Sequence, residues 1–201
     1  MDAITVHSHI SAPRERVYEL IADVAARPAW TDHYTKDYRL VTPRSVGAGA
    51  GARYRLDAPG GTRYVEFSLV EAISPRRVVE EGRTGRLGRT RYGAEYDLSE
   101  PARGVTRVDM TVWTEPENLI ERIRESIRFR AYLRRRTRKA LERLRRILEE
   151  GKGEPLARAT IGGYETGKAP RFGTSAGRGF SSSDGETAPA EARPQPGRVG
   201  E

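Results

Sequence analysis

The order of strand-like and helical patterns along the chain constrains its fold most. Residues 4–11 alternate apolar and polar side chains, which is typical of a half-buried strand, and a helical pattern opens at Pro13. A second short helix or turn is predicted over residues 28–34. From Lys36 onward, five or six strand-like runs follow between glycine and proline turn signals, and one long helical pattern then extends to about Glu150.

This order predicts an α+β protein with a helix-grip fold. The sequence lacks the alternation of strand, helix and strand that is typical of a parallel sheet. We therefore expect a curved antiparallel sheet of about six or seven strands. The sheet is expected to wrap around the long C-terminal helix, with two short helices after strand 1. Because one helix cannot fill the concave side of such a sheet, a cavity is expected between them, and function is expected there.

Composition divides the 201 residues into two parts. Residues 1–151 carry the strand and helix patterns and are predicted to form one ligand-binding domain. Residues 152–201 are rich in Gly, Pro and Ser and have too little apolar surface to offset the entropy of ordering, which predicts a disordered tail. The absence of cysteine excludes a disulfide framework and a thiolate nucleophile. No signal-peptide or membrane-spanning pattern occurs, so a cytoplasmic location is predicted.

The net charge of +8 raises the question of an anionic partner. Most of the basic excess lies on the predicted last helix, in the run from Arg128 to Arg146. Its exposed side could contact RNA, an anionic membrane surface or an acidic partner through Arg134, Arg135, Arg138 and Lys139. The simpler alternative is a solvated basic face, because one side of the helix must pack on the sheet and no aromatic side chains alternate with these arginines.

Four stretches of sequence carry a resemblance to a known superfamily. They are ITVHSHISAPRERVYELIADVAARPAW, VGAGAGARYRL, EAISPRRVVEEG and GVTRVDMTVWTEP. Together they resemble the SRPBCC or START-like superfamily, in particular its bacterial polyketide cyclase/dehydrase and lipid-transport-like members. The resemblance spans residues 4–150 and implies a cavity that holds a lipid, polyketide, quinone, hormone or other aromatic molecule. It is specific to the fold and not to an activity, since only some members catalyse a reaction.

Strand alternation predicts which side chains face the cavity. The inward set is Tyr54, Leu56, Val65, Phe67, Leu69, Tyr92, Ala94, Tyr96, Leu98, Val108, Met110 and Val112. Its tyrosines stand out, because each buried hydroxyl needs a hydrogen-bond partner, which a ligand or the protein itself can supply. The candidate ligand-binding residues of this set are Tyr54, Phe67, Tyr92, Tyr96 and Met110. The resemblance implies that Trp30 and Tyr34 lie near the mouth of the cavity, where they could stack on a ligand or anchor a loop.

On the last helix, Ile123 and Ile127 are predicted to face the cavity. Continuing their stripe at 100° per residue places Arg130 within about 60° of its centre. A buried guanidinium needs an anionic partner, so Arg130 is a candidate anchor for a carboxylate, phenolate or enolate oxygen of the ligand. Glu80 or Glu81 could pair with it instead. In the alternative interpretation the helix overhangs the sheet and Arg130 reaches water.

The sequence supplies little for acid–base or metal chemistry. His7 and His9 point outward by strand alternation and have no third ligand nearby, so no metal site is predicted. His33 is the histidine nearest the expected mouth of the cavity. It could act there as a general base, or it could be an ordinary surface-loop residue. No phosphate-binding or dinucleotide-binding glycine motif occurs, so no cofactor is predicted and no catalytic residue is assigned.

Three functions are compatible with these patterns. The first is binding of a hydrophobic small molecule in the cavity. The second is an enzyme of the polyketide aromatase/cyclase or dehydratase kind, without metal or cofactor. The third is an interaction module that uses the basic helix. An enzyme should have a polar cluster deep in the cavity, whereas a carrier should have an almost wholly apolar lining, and the mostly apolar inward set favours the carrier.

Overall fold

The structure is a computed structural model that describes residues 3–85, 88–115, 127–151, 156 and 158–163. The strands are β1 (Ile4–Ile10), β2 (Thr35–Leu40), β3 (Gly51–Ala58), β4 (Gly61–Ile73), β5 (Arg77–Gly85), β6 (Thr90–Ala102) and β7 (Val105–Glu115). The helices are α1 (Arg14–Ala22), a 3-10 turn (Val24–Ala26), α2 (Pro28–Thr31) and α3 (Ile127–Glu150). The predicted order of elements is confirmed.

The seven strands form one curved antiparallel sheet in the order β1-β7-β6-β5-β4-β3-β2. Strands β2 to β7 are neighbours in chain order, as in a meander. The first strand pairs with the last, so that Ile4 lies opposite Val112 and Ile10 lies opposite Thr106. The predicted helix-grip fold is therefore confirmed, with seven strands.

The chain enters α1 directly from β1. Pro13 precedes the first helical residue with φ −58°, so its missing N–H falls where a helix has no internal acceptor for it. Val17 and Ile21 are fully buried under the sheet. The helix ends at Asp23, whose carboxylate accepts a hydrogen bond of 3.1 Å from the N–H of Ala25 and starts the 3-10 turn.

The long helix α3 packs against β1 and α2 on the concave side of the sheet. Its buried stripe is Phe129, Leu133, Thr137, Ala140, Leu141 and Leu144, a spacing of three and four residues that keeps one side of a helix inward. This stripe differs from the predicted continuation of Ile123 and Ile127. Ile123 and the side chain of Ile127 lie outside the described residues.

The domain extends beyond the predicted boundary at Gly151. Ala159 is 4% exposed, and its N–H donates to the carbonyl of Ala25 at 2.8 Å. The N–H of Leu40 donates to the carbonyl of Thr160 at 2.9 Å. Residues 158–163, which we call the C-terminal strap, therefore lie against the start of the domain. The predicted disorder of residues 164–201 lies outside the described residues.

Of the helices that the structure describes, none has the length and apolar character needed to cross a membrane.

Candidate ligand-binding site

A narrow cavity lies between α3 and the inner side of the sheet. Its lining is Tyr34, Tyr54, Leu56, Val65, Thr84, Tyr92, Met110, Val112, Thr114, Phe129, Leu133 and Thr137. The volume open to the centre of a water-sized sphere is ≈ 20 Å³. That is about the room that one water molecule needs. A larger molecule therefore requires the lining to move apart.

Four predicted site residues line this cavity, namely Tyr34, Tyr54, Tyr92 and Met110. The predicted inward set of the sheet is confirmed, since its members are buried or packed against the buried core. Strand alternation found these residues because neighbouring positions must point to opposite sides of the sheet. It could not find Phe129, Leu133 and Thr137, which belong to the displaced stripe of α3.

Trp30, Phe67 and Tyr96 lie behind the lining rather than in it. They are 0%, 3% and 1% exposed. The Trp30 and Tyr96 rings meet edge to face at 6.4 Å between centroids, and the Phe67 ring lies 6.5 Å from that of Tyr92. These three predicted residues therefore support the cavity from the core. The predicted place of Trp30 at the mouth is not where the structure puts it.

Arg130 does not line the cavity. It lies with Ala131, Arg134, Arg135 and Arg138 along a groove on the outer side of α3. The four-residue spacing of Phe129 and Leu133 sets the inward side of the helix, and this rotates Arg130 away from the sheet. This placement gives no support to the predicted role of Arg130 as an anchor for the ligand, and a different arginine lies buried near the cavity.

That arginine is Arg27, which forms a buried ion pair with Glu80. Their side chains are 5% and 1% exposed, and Nη1 of Arg27 lies 2.5 Å from Oε1 of Glu80. Nη1 also donates to the hydroxyl of Tyr96 at 2.6 Å, and Nη2 donates to the carbonyl of Ile21 at 2.9 Å. Glu80 was predicted, with Glu81, only as a possible partner of Arg130, and Arg27 was not predicted to be buried. One signal was available, because Arg27 interrupts the apolar run VAARPAW.

Aromatic rings enclose the Arg27 guanidinium. Its central carbon lies 4.9 Å from the ring centroid of Trp30, 5.0 Å from that of Tyr96 and 5.9 Å from that of Phe67. Ring faces attract a cation, and the attraction grows where water is excluded. Burial alone would favour the neutral guanidine, but the Glu80 carboxylate outweighs it and raises the pKa of Arg27 well above its usual value. Arg27 is therefore a charged group deep inside the protein.

A tyrosine hydroxyl connects this ion pair to the cavity. Tyr92, in the lining, donates to Oε2 of Glu80 at 3.3 Å, and Tyr54 lines the same cavity. Burial raises the pKa of Tyr34, Tyr54 and Tyr92 well above the usual value for tyrosine. These hydroxyls therefore stay protonated and can donate a hydrogen bond to an oxygen that enters the cavity.

Two N–H groups of the same cluster have no acceptor among the residues that the structure describes. They are Nε of Arg27 and Nε1 of Trp30, and both are buried. A buried donor without an acceptor is unfavourable by about 1 to 3 kcal/mol. An oxygen atom that reached this point, from water or from a ligand, would remove that penalty.

His33 belongs to the contact between α2 and α3 and not to the cavity. Its Nε2 donates to the carbonyl of Arg136 at 3.2 Å, so Nδ1 accepts from Arg143 at 3.3 Å. Arg143 also pairs with Asp32. Burial, with a further contribution from Arg143, lowers the pKa of His33 to about 4. The ring is therefore neutral near pH 7, and both its nitrogens are engaged.

His7 and His9 lie on the outer side of β1, as strand alternation predicted, and both are exposed. Within the described residues, no group of three or more His, Asp or Glu side chains is arranged to hold a metal ion.

The family model described as polyketide cyclase/dehydrase and lipid transport matches residues 1–149. No curated protein matches the sequence. The crystal structure of TTHA0849 from Thermus thermophilus has a TM-score of 0.61 at 18% identity, over 75% of this chain and 99% of that one. Major latex-like protein 151 from Panax ginseng has a TM-score of 0.59 at 10% identity, over 74% of this chain and 97% of that one.

A START superfamily protein from Mycobacterium smegmatis has a TM-score of 0.51 at 10% identity, over 74% of this chain and 94% of that one. At such identities these structures support only the assignment of the fold. The family match supports membership in the family, because it covers most of the chain. The protein belongs to the polyketide cyclase/dehydrase and lipid transport family.

Proposed function

We propose that the protein binds a hydrophobic small molecule, with at least one oxygen-bearing polar group, in the cavity between α3 and the sheet. The observation that carries this proposal is the hydrogen bond from Tyr92, a residue of the cavity lining, to the buried Arg27–Glu80 pair. A core that needed only to be stable would gain from apolar side chains of similar volume, because burying an ion pair carries a large desolvation penalty.

The lining offers different chemistry to different parts of a ligand. Leu56, Val65, Val112 and Leu133 present apolar surface to a hydrocarbon or aromatic body. The tyrosine hydroxyls present donors to a carbonyl, phenol or carboxylate oxygen. The family description, which names polyketides and lipids, agrees with a ligand of this mixed character.

The cavity must widen before such a ligand can enter. Two contacts between α3 and the β3–β4 hairpin hold its wall: the hydroxyl of Tyr132 donates to the carbonyl of Asp57 at 2.8 Å, and the Arg63 guanidinium lies 4.2 Å from the ring centroid of Phe129. The hydrogen bond is exposed, so its net stabilisation is small. Separation of the hairpin from α3 is therefore the entry route that we propose.

A cyclase or dehydratase reaction is the second candidate. The polar cluster behind the lining favours it, because an almost wholly apolar lining would be expected of a simple carrier. In such a reaction the Arg27 guanidinium and a tyrosine hydroxyl would stabilise an enolate oxygen by donating to it. This role requires the substrate oxygen to pass between Tyr54 and Tyr92.

Native mass spectrometry of the full chain tests binding. The protein is measured as purified and after incubation with a lipid and aromatic-polyketide extract, beside Leu133→Trp, which fills the cavity, and Ala131→Trp, which places the same side chain on the exposed side of α3. We expect a one-to-one adduct with the wild-type protein and with Ala131→Trp, and its loss in Leu133→Trp, with circular dichroism confirming that each variant is folded.

An adduct that persists in a folded Leu133→Trp variant, or no adduct with the wild-type protein, contradicts the cavity proposal. The same experiment separates the two candidates. A carrier releases its ligand with unchanged mass, whereas a cyclase or dehydratase that closes and aromatises a ring releases a product lighter by one or more water molecules. Loss of that conversion in Arg27→Met/Glu80→Leu, which leaves no unpaired charge buried, with binding retained, would favour the enzyme.

A further inference from the structure

The outer side of the sheet carries a row of arginines that the cavity does not use. The strand registers place Arg39 opposite Arg53, Arg53 opposite Glu66, Glu66 opposite Arg83, and Arg83 opposite Arg91. The four basic residues, which we call the arginine row, are all exposed. With neighbouring strands about 4.8 Å apart, the row spans about 19 Å from β2 to β6.

The pairing within the arginine row is unfavourable for the protein alone. Two guanidinium groups face each other directly at Arg39/Arg53 and again at Arg83/Arg91, and like charges directly opposite destabilise an antiparallel pair. Within the described part of the chain, no carboxylate forms an ion pair with any of the four. An external anion would relieve this repulsion.

Other arginines on the same side of the sheet are paired. Arg77 contacts Glu71, Glu95 and Asp97 within 3.7 Å or less, and Arg107 contacts Asp109 at 2.9 Å. Glu71, Glu95, Asp97 and Asp109 thus pair with Arg77 and Arg107, whereas Glu66 and Glu115 lie opposite members of the arginine row. The four guanidinium groups of the arginine row, towards the other end of the strands, outnumber these two carboxylates by two, which leaves positive charge for a partner outside the protein.

The surface around the arginine row is concave. One depression of ≈ 570 Å³ is lined by Arg39, Arg53, Arg55, Tyr64, Glu66 and Arg83 among others. A second, of ≈ 460 Å³, is lined by Arg83, Arg91 and Trp113 among others. Arg83 borders both, so the two depressions lie side by side across the strands, and we call them together the groove.

Aromatic rings lie in this groove beside the arginines. Tyr64 is 63% exposed, which is unusual for so large an apolar side chain. The indole of Trp113 covers the backbone of Gly93, since a Cβ at Gly93 would come within 2.2 Å of its Cζ2. Both rings can serve as stacking surfaces for planar groups.

We propose that this groove binds a single-stranded nucleic acid, with the arginine row on its phosphates and Tyr64 and Trp113 against its bases. Guanidinium groups fit phosphate oxygens, and single-strand binding sites combine a basic groove with aromatic platforms. An acidic protein surface would use the charges but not the rings, and a membrane surface would need apolar side chains that project from the protein rather than line a groove. The site is on the opposite side of the sheet from the cavity.

Fluorescence anisotropy with a labelled oligo(dT) of about twelve nucleotides tests this, a length within the range bound by known single-strand sites. The full chain is compared with Arg53→Ala/Arg83→Ala, with Tyr64→Ala, and with Arg134→Ala/Arg138→Ala, a matched pair from the exposed side of α3. Inorganic phosphate and phosphatidylglycerol vesicles serve as competitors. Thermal unfolding of each variant checks that it is folded.

We expect the wild-type protein to bind and the affinity to fall as salt rises. Arg53→Ala/Arg83→Ala should reduce the slope of log affinity against log salt by about 1.4, as expected for two lost contacts with a single strand. Tyr64→Ala should weaken binding about tenfold, the scale of one lost base stack. The α3 pair and the cavity-filling Leu133→Trp should bind as the wild-type protein does.

The proposal is overturned if Arg53→Ala/Arg83→Ala binds like the wild-type protein, or if the α3 pair loses as much affinity. Binding to the vesicles alone, or to none of the probes, overturns it as well. None of these results bears on the cavity, because oligonucleotide binding and small-molecule adducts are measured separately on opposite sides of the sheet.

Discussion

Nη1 of Arg27 lies 2.5 Å from Oε1 of Glu80, and both side chains are almost completely buried. The pair joins the short helical segment after α1 to the middle strand of the sheet, β5. Aromatic rings and the Tyr96 hydroxyl surround the pair and exclude water from it. The two charges therefore neutralise each other instead of being solvated. The stability of the domain and the polarity of the cavity therefore depend on the same contact.

Removing one partner of this pair should strongly destabilise the protein. Glu80→Leu leaves the Arg27 charge buried without a counter-ion, which we expect to lower the free energy of unfolding by about 3 to 5 kcal/mol. Arg27→Met/Glu80→Leu should recover much of that loss because no unpaired charge remains. Urea titrations measure both. As a control, Glu19→Ala breaks the exposed pair with Arg16 and should change stability by less than about 1 kcal/mol.

The stability of the domain should rise with pH between about 4 and 6.5 through His33. Burial lowers the pKa of His33 to about 4 from its ordinary value of 6.5. Between these values the unfolded chain binds a proton that the folded chain excludes, so acid favours unfolding. Because the ring is only partly buried, we expect an effect on the order of 1 kcal/mol.

Chemical denaturation at pH 7 and pH 5 measures this dependence. His33→Gln retains a side-chain donor for the carbonyl of Arg136 but has no proton to gain in this range. The loss of stability between the two pH values should therefore be smaller in His33→Gln than in the wild-type protein. An equal loss in both would show that other groups control the acid sensitivity.

Gly93→Ala should destabilise the sheet through Trp113. The added methyl group would lie 2.2 Å from Cζ2 and 2.3 Å from Cε2 of the indole, so the ring must leave its place. Overpacking of this kind typically costs about 1 to 3 kcal/mol. In a Trp113→Ala background the same substitution should cost much less, and a double-mutant cycle from thermal unfolding measures that coupling. Equal costs in the two backgrounds would contradict the packing of the ring on Gly93.

The C-terminal strap should contribute to stability although it follows the long helix. A chain that ends at Gly151 loses the hydrogen bonds of Ala159 and Thr160 and the ion pair between Arg158 and Asp23. We expect it to be less stable by about 1 to 3 kcal/mol than a chain that ends at Gly163. Urea unfolding of the two truncated proteins makes the comparison, and identical midpoints would mean that the strap adds nothing.

The inner side of the sheet was predictable because, in each strand, one of only two alternating sets of side chains can face inward. Once Val108 is assigned to the inner side, Met110 and Val112 follow, and all three are buried. It was harder to predict which side of α3 faces the sheet. Continuing the stripe from Ile123 and Ile127 at 100° per residue places Arg130 near the inner side of α3. In the described part of the helix, Phe129 and Leu133 line the cavity and Arg130 borders a groove on the outer side of the helix.

The burial of Arg27 could not be predicted from the sequence, for a different reason. It lies between the 3-10 turn and α2, a segment too short to show any periodicity, so no pattern assigns its side chain to a side. Its partner Glu80 does obey strand alternation, since it shares the inner side of β5 with Val78 and Thr84. Ala159 and its contact with Ala25 were equally hidden, because hydrogen bonds between backbones leave little trace in the identity of the side chains.

The pairing of β1 with β7 has a consequence for synthesis on the ribosome. Ile4 finds its partner Val112 only after about one hundred further residues have been made, which takes about 5 to 20 s at ordinary rates of translation. During that time the apolar sides of β1 and α1, including Val17 and Ile21, have no finished sheet to cover them. These apolar side chains of β1 and α1 should therefore stay exposed on the nascent chain until β7 emerges.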